Sequence, residues 1–147
     1  MGKEILEGCK VLLHTCGAVQ PEEKVLVITD ETSKEIGEAM YACASEYTDA
    51  TLICTKDRTT HGEAPTACVA AAMAAADVIF SATTFSLYNT DARIEACKNG
   101  ARYINMADYS LEMLKQGCLF TDWDQIRKVV DETAEKIVGK ELRITTP

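Results

Sequence analysis

Apolar residues gather in four short unbroken runs, at 25–29, 51–54, 78–81 and 103–106, and each run stops at a polar loop. A stretch with apolar positions at helical spacing follows every one. This alternation predicts strands and helices in turn, which builds a parallel sheet covered by helices. The first run, Lys24-Val25-Leu26-Val27-Ile28-Thr29, has no polar alternation and suits a central strand buried on both faces.

The boundaries follow from local signals. Residues 3–16 form a leading helix that stops at Gly17, a natural C-cap. Thr32-x-x-Glu35 reads as a capping box opening a helix to about Tyr47. The longest loop, 56–65, carries Arg58, Thr59, Thr60, His61, Gly62 and Glu63. Pro65 fits the first turn of a third helix, whose alanines at 70–72 and 74–76 let it lie close to the sheet. Asn89 or Thr90 caps the next helix, which ends at Asn99-Gly100, and Ser110 caps a short helix at 111–116. A last helix, 122–138, places Trp123, Ile126, Val129, Val130, Ala134 and Ile137 on a side expected to be buried, and Gly139 ends it. Residues 141–147 begin a fifth strand or a linker.

These elements predict an α/β fold: an open, doubly wound parallel sheet with right-handed crossovers and helices on both faces. The outline is a Rossmann- or flavodoxin-like three-layer sandwich with an extra N-terminal helix. At 147 residues it is read as one domain, 1–147.

Composition narrows the classes. A hydrophobic fraction of 47% and a charged fraction of 26% are globular values. Fifteen basic against twenty-three acidic residues give a net charge of −8, which disfavours nucleic acid as a partner. The seven cysteines are odd in number, dispersed and free of any C-x-x-C pair, which fits a reducing cytoplasm. Most lie on apolar stripes as small hydrophobes, with Cys9 and Cys16 sharing a face with Ile5, Leu12 and Leu13. The start, Met1-Gly2-Lys3-Glu4, is charged and reads as no signal peptide; Leu6 stands where myristoylation needs Ser or Thr. No run approaches the roughly 20 apolar residues of a membrane span.

In such a sheet, ligands settle beyond the carboxyl ends of the strands, where the winding reverses, commonly between the first and third strands. Thr29, Asp30, Glu31 and Thr32 stand on one side of that point and Ser81, Thr83, Thr84 and Ser86 on the other, with Asn105 and Asp108 within reach. The first turn has no glycine and two carboxylates, which excludes a dinucleotide cradle. The hydroxyl-rich loop before Thr90 suits a small anion or polar ligand; equally, its hydroxyls serve loop backbone and the helix cap. His61 with Glu63 and Asp57 lacks the tight spacing of a metal site, and His14 is expected to face solvent. No G-x-S-x-G elbow occurs, and no cysteine has a neighbouring base. Asp30-Glu31 serves either acid–base work or the dipole of the following helix.

Three segments carry a family likeness: Thr60-His61-Gly62-Glu63-Ala64-Pro65, the run from Val69 to Ile79, and Thr84-Phe85-Ser86-Leu87-Tyr88-Asn89-Thr90-Asp91-Ala92-Arg93 followed by Gly100-Ala101-Arg102. Together they resemble the amino-terminal domain of the aminopeptidase T group of metallopeptidases, an architecture shared with the related 2,5-dihydroxypyridine dioxygenases. The likeness covers nearly the whole chain, and Thr145-Thr146-Pro147 looks like the start of a second domain. Members are longer, and their Glu, His and Asp metal ligands lie in a carboxy-terminal domain that this chain does not match.

The resemblance therefore implies a domain that binds no metal, walls one side of an active-site cleft and is inactive alone. It implies a divalent metal only in the carboxy-terminal domain, which becomes the expected partner, with a second copy of the chain as a further one. Cleft-edge candidates carried over are Thr84, Ser86, Thr90 and Arg93, with His61 and Glu63 in the other loop; Thr83 and Asp30 join them from the residue reading. Asn89 stands where many relatives have histidine. Two alternatives remain open: a self-sufficient small-ligand module of flavodoxin-like outline, and an interaction scaffold using an apolar face around Leu142 and Ile144.

Overall fold

A computed structural model describes residues 2–146. Its regular elements run α1 (Lys3–Lys10), a π-helical segment (Val11–Cys16), β1 (Val25–Asp30), α2 (Lys34–Ser45), β2 (Ala50–Thr55), α3 (Ala67–Ala75), β3 (Val78–Ala82), α4 (Asp91–Lys98), β4 (Arg102–Asn105), a 3-10 turn (Cys118–Phe120) and α5 (Trp123–Ile137). The strands form one parallel sheet in the order β2-β1-β3-β4. The chain winds from β1 out to β2 and then returns past β1 to β3. The reversal therefore falls between β1 and β3, as the sequence suggests.

Alternate residues of the central strands feed two cores. Val25, Val27, Val78, Phe80 and Ala82 face Leu12 and Leu13 of the π segment and Ile36, Met40 and Ala44 of α2. Leu26, Ile28 and Ile79 face Val69 and Met73 of α3, with Leu87 and Ala96. Every residue of β1 and β3 is buried, whereas β2 and β4 are sheet edges and only partly so. Full burial of each large side chain contributes about 1.5–3 kcal/mol, so the two central strands carry much of the stability. Close approach of α2 to β1 depends on Gly37, where an added Cβ would stand 2.4 Å from Thr29 Cβ.

Several local expectations are corrected. The leading helix widens after Lys10 into the π segment, with Gly17 N–H donating to Leu12 O at 2.8 Å. The extra residue per turn buries both Leu12 and Leu13 but swings Cys16 out to solvent. Gly17 is not left-handed (φ −84°); it is small because a Cβ would meet Phe80 Cζ at 2.7 Å. The capping box does not form: Thr32 Oγ1 donates to Asp57 Oδ2 (2.6 Å), and Asp30 Oδ1 accepts from Ser33 N (2.9 Å). Pro65 lies before the N-cap of α3, Thr66, rather than in its first turn. In α3, Val69 and Met73 are the buried residues, and Ala71, Ala74 and Ala75 are exposed.

Beyond β4 the departures are larger. Residues 111–116 are consecutive turns rather than a helix, although Ser110 Oγ does accept from Met113 N (3.3 Å). Six residues followed by a left-handed Gly117 (φ +94°) are too few to offset helix nucleation. The helix α5 exists as expected, capped by Asp122, but no residue of it is buried. Residues 141–146 form no strand; Leu142 and Ile144 are 62% and 82% exposed. Met1 and Pro147, to which the readings of the chain start and the second-domain boundary extend, lie outside the described residues. Of the cysteines, only Cys9 and Cys43 are buried, Cys97 is half-buried and the other four are exposed. No helix of the described residues is long and apolar enough to cross a membrane.

Candidate functional site

The parallel register aligns Asp30 with Thr55, Thr29 with Ala82, and Ser81 with Asn105, so all four strand ends meet at one sheet edge. Between β1 and β3 the edge is closed by Asp30, which is 1% exposed. Its Oδ1 accepts from Ser33 N (2.9 Å) and from Thr84 Oγ1 (3.1 Å), and its Oδ2 accepts from Thr84 N (2.6 Å). One carboxylate thereby fastens the start of α2 to the loop after β3. Charged acceptors make the stronger hydrogen bonds, which suits a buried joint. Thr83 turns inward, its hydroxyl donating to Phe85 O (2.9 Å) and sharing a contact with Ser81 Oγ (3.3 Å).

A second group joins the two long loops. His61 Nδ1 accepts from Ser86 N (3.0 Å), and Gly62 N donates to Ser86 O (2.9 Å). An accepting Nδ1 places the proton of the neutral ring on Nε2. The His61 ring also meets Phe85 edge-on at 5.2 Å between centroids. Ser86 Oγ accepts from Tyr88 N (3.1 Å) and donates to Asn105 Oδ1 (3.1 Å), carrying the link to β4.

A third group surrounds α4. Thr90, 3% exposed, donates to Leu87 O (2.7 Å) and accepts from Arg93 N (3.3 Å) as the N-cap. Arg93 Nε donates to Tyr88 O (2.6 Å), and the guanidinium lies 4.2 Å over the Tyr88 ring. The Tyr88 ring in turn meets Tyr103 at 6.2 Å. Burial pushes the Tyr103 phenol up to about 12, against the pull of the Ser81 hydroxyl and the Arg93 charge. Its Oη is buried and makes no well-formed hydrogen bond among the described residues. Between this group and the loop at 62–65 runs an open groove of about 260 Å³, lined by Gly62, Pro65, Asn89 and Thr90 among others.

Glu63 joins none of these groups. Its Oε2 accepts from Thr59 N (2.8 Å) and Thr59 Oγ1 (2.9 Å), and its Oε1 meets Arg58 Nη1 at 3.5 Å. The Thr59 amide and hydroxyl, with Arg58, hold its carboxyl below the ordinary range. Arg58 Nε and Nη2 are buried without partners among the described residues. Asp57 is likewise held low, chiefly by the Thr32 hydroxyl.

Of the sequence candidates, the fold brings together Asp30 with Thr84 and His61 with Ser86, and it links Arg93 to Ser86 through the backbone of Tyr88. Most hydroxyls at the edge are committed to holding loops, and Ser86 donates to an amide oxygen rather than to a base, so none is set up as a nucleophile. Among the described residues no group of three His, Cys, Asp or Glu side chains converges, and His61, Glu63 and Asp57 each serve different partners. His14 is exposed and packs edge-on to Tyr47 at 4.8 Å.

Sequence reasoning missed Ser33, Tyr88 and Tyr103. Each acts through tertiary proximity, and only Tyr88, beside Arg93 in the hydroxyl loop, left a local trace. No family model, curated protein or solved structure matches the chain.

Proposed function

We propose that this chain is a cleft-forming α/β domain of a metal-dependent aminopeptidase-like enzyme, which binds no catalytic metal and is inactive alone. One observation carries the reading beyond the resemblance. The helix α5 presents an apolar stripe that the described residues leave largely uncovered, with Ile126, Val129 and Val130 at 42%, 55% and 56% exposure. Such a stripe on a regular helix marks a protein contact. The hydroxyl loop supports the reading too, because side chains spent on loop geometry make a stiff wall rather than a reaction centre.

In this reading Arg93 and Asn105 face the cleft, and α5 packs on the domain that supplies the ions. The isolated chain then releases no amino acid from peptide amides, with or without added zinc, cobalt or manganese. Robust metal-stimulated release would refute the proposal. The alternative, a self-sufficient small-ligand module, draws support from the unpaired guanidinium of Arg93. A thermal shift of several degrees by one small ligand at micromolar concentration would favour it.

A further inference from the structure

We propose that Arg93, with Asn105, forms a binding site for a planar monoanionic carboxylate at the carboxyl ends of β3 and β4. The inference holds whether the chain is a cleft wall or a module of its own, so its failure leaves that question standing.

Three arginines belong to the sheet unit. Arg58 pairs with Glu63 and Arg102 with Glu23, whereas Arg93 has no carboxylate in ion-pair contact among the described residues. In a chain with twenty-three acidic residues, a bare guanidinium at the ligand edge of the sheet calls for a reason. It is also not a loose side chain. The Tyr88 carbonyl holds Nε at 2.6 Å and the Tyr88 ring supports the plane at 4.2 Å. Among the described residues Nη1 and Nη2 donate to no acceptor, so the two-pronged edge that matches a carboxylate is free and already oriented. A fixed guanidinium loses little freedom on binding.

The surroundings supply further donors. Ser86 Oγ accepts from Tyr88 N and donates to Asn105 Oδ1, making Arg93, Tyr88, Ser86 and Asn105 one hydrogen-bonded unit. Spending Oδ1 in this way leaves the Asn105 amide group as a donor on an exposed residue. One guanidinium and neutral donors suit a single negative charge, and a net charge of −8 works against a dianion such as phosphate.

The test titrates the full chain with N-acetylglycinate, its neutral analogue N-acetylglycinamide, and inorganic phosphate. NMR follows the Arg93 Nε–H and Asn105 side-chain amide signals. The carboxylate should give a saturable shift, about tenfold or more weaker for the amide, and about tenfold weaker in Arg93→Gln with part retained in Arg93→Lys. Arg127→Gln, on α5, should bind as the parent does. Equal binding of the neutral amide, unchanged binding in Arg93→Gln, tighter binding of phosphate, or no saturable shift would each overturn the proposal. Should Arg93→Gln fail to fold, the carboxylate-against-amide comparison on the unaltered chain still decides.

Discussion

Replacing Asp30 by alanine tests whether one carboxylate joins the two halves of the sheet edge. The substitution strips acceptors from Ser33 N, Thr84 N and Thr84 Oγ1 at a residue that is 1% exposed. A hydrogen bond to a charged group contributes about 1.5–3 kcal/mol, but the three share one carboxylate and relax together. A loss of about 3–5 kcal/mol follows, less than the simple sum because one group serves all three donors. For a domain of this length each kcal/mol lowers Tm by about 2–4 °C, so a fall of roughly 6–20 °C is expected. Asp30→Asn keeps the shape but turns an NH2 toward a donor, and should fall between parent and alanine variant. Urea denaturation gives the free energy, and hydrogen exchange at the Thr84 and Ser33 amides locates it. A loss below about 1 kcal/mol, with both amides still protected, would refute the reasoning.

Other consequences are equally direct. Gly37→Ala forces a Cβ within 2.4 Å of Thr29 Cβ and should destabilise by about 1–3 kcal/mol despite its better helix propensity, as measured by denaturant midpoint. Arg102 grips Glu23 through Nη2 (2.6 Å) and Nη1 (3.0 Å), and this pairing, with the Gln20 amide, holds the Glu23 carboxyl below its usual range. A carboxyl depressed in the folded state stabilises above its unfolded pKa and loses that contribution as pH falls through the folded one. The stability gap between parent and Arg102→Met should therefore close on acidification through the carboxylate range. Ellman's reagent should label Cys16, Cys54, Cys68 and Cys118 first, whereas Cys9, whose thiol burial pushes up to about 12, should react only on unfolding. Val129→Ser with Val130→Ser should leave stability within about 0.5 kcal/mol, since both are exposed, while lowering self-association seen by light scattering.

Much of the fold was legible because its signals are local. Unbroken apolar runs such as 25–29 announce a strand buried on both faces, and β1 is buried throughout. The switch point between β1 and β3 followed from winding rules alone. What failed depended on partners distant in sequence. Thr32 spacing suggests a cap, yet Asp57, twenty-five residues away, captures the hydroxyl. The π segment turned Cys16 outward with no sequence mark. The periodicity of α5 gave its existence correctly, but periodicity cannot say whether anything covers the apolar side. At the edge, Asp30 and Thr84 were found by position, whereas the support of Arg93 by Tyr88 is visible only in three dimensions.

In the proposed function this polypeptide shapes a cleft while the catalytic ions sit in other protein. The most direct test is to equilibrate the purified chain with zinc or cobalt, remove free metal, and measure bound metal together with leucinamide hydrolysis. Substoichiometric metal and no hydrolysis above buffer are expected. One tightly held ion per chain with metal-dependent turnover would contradict the proposal.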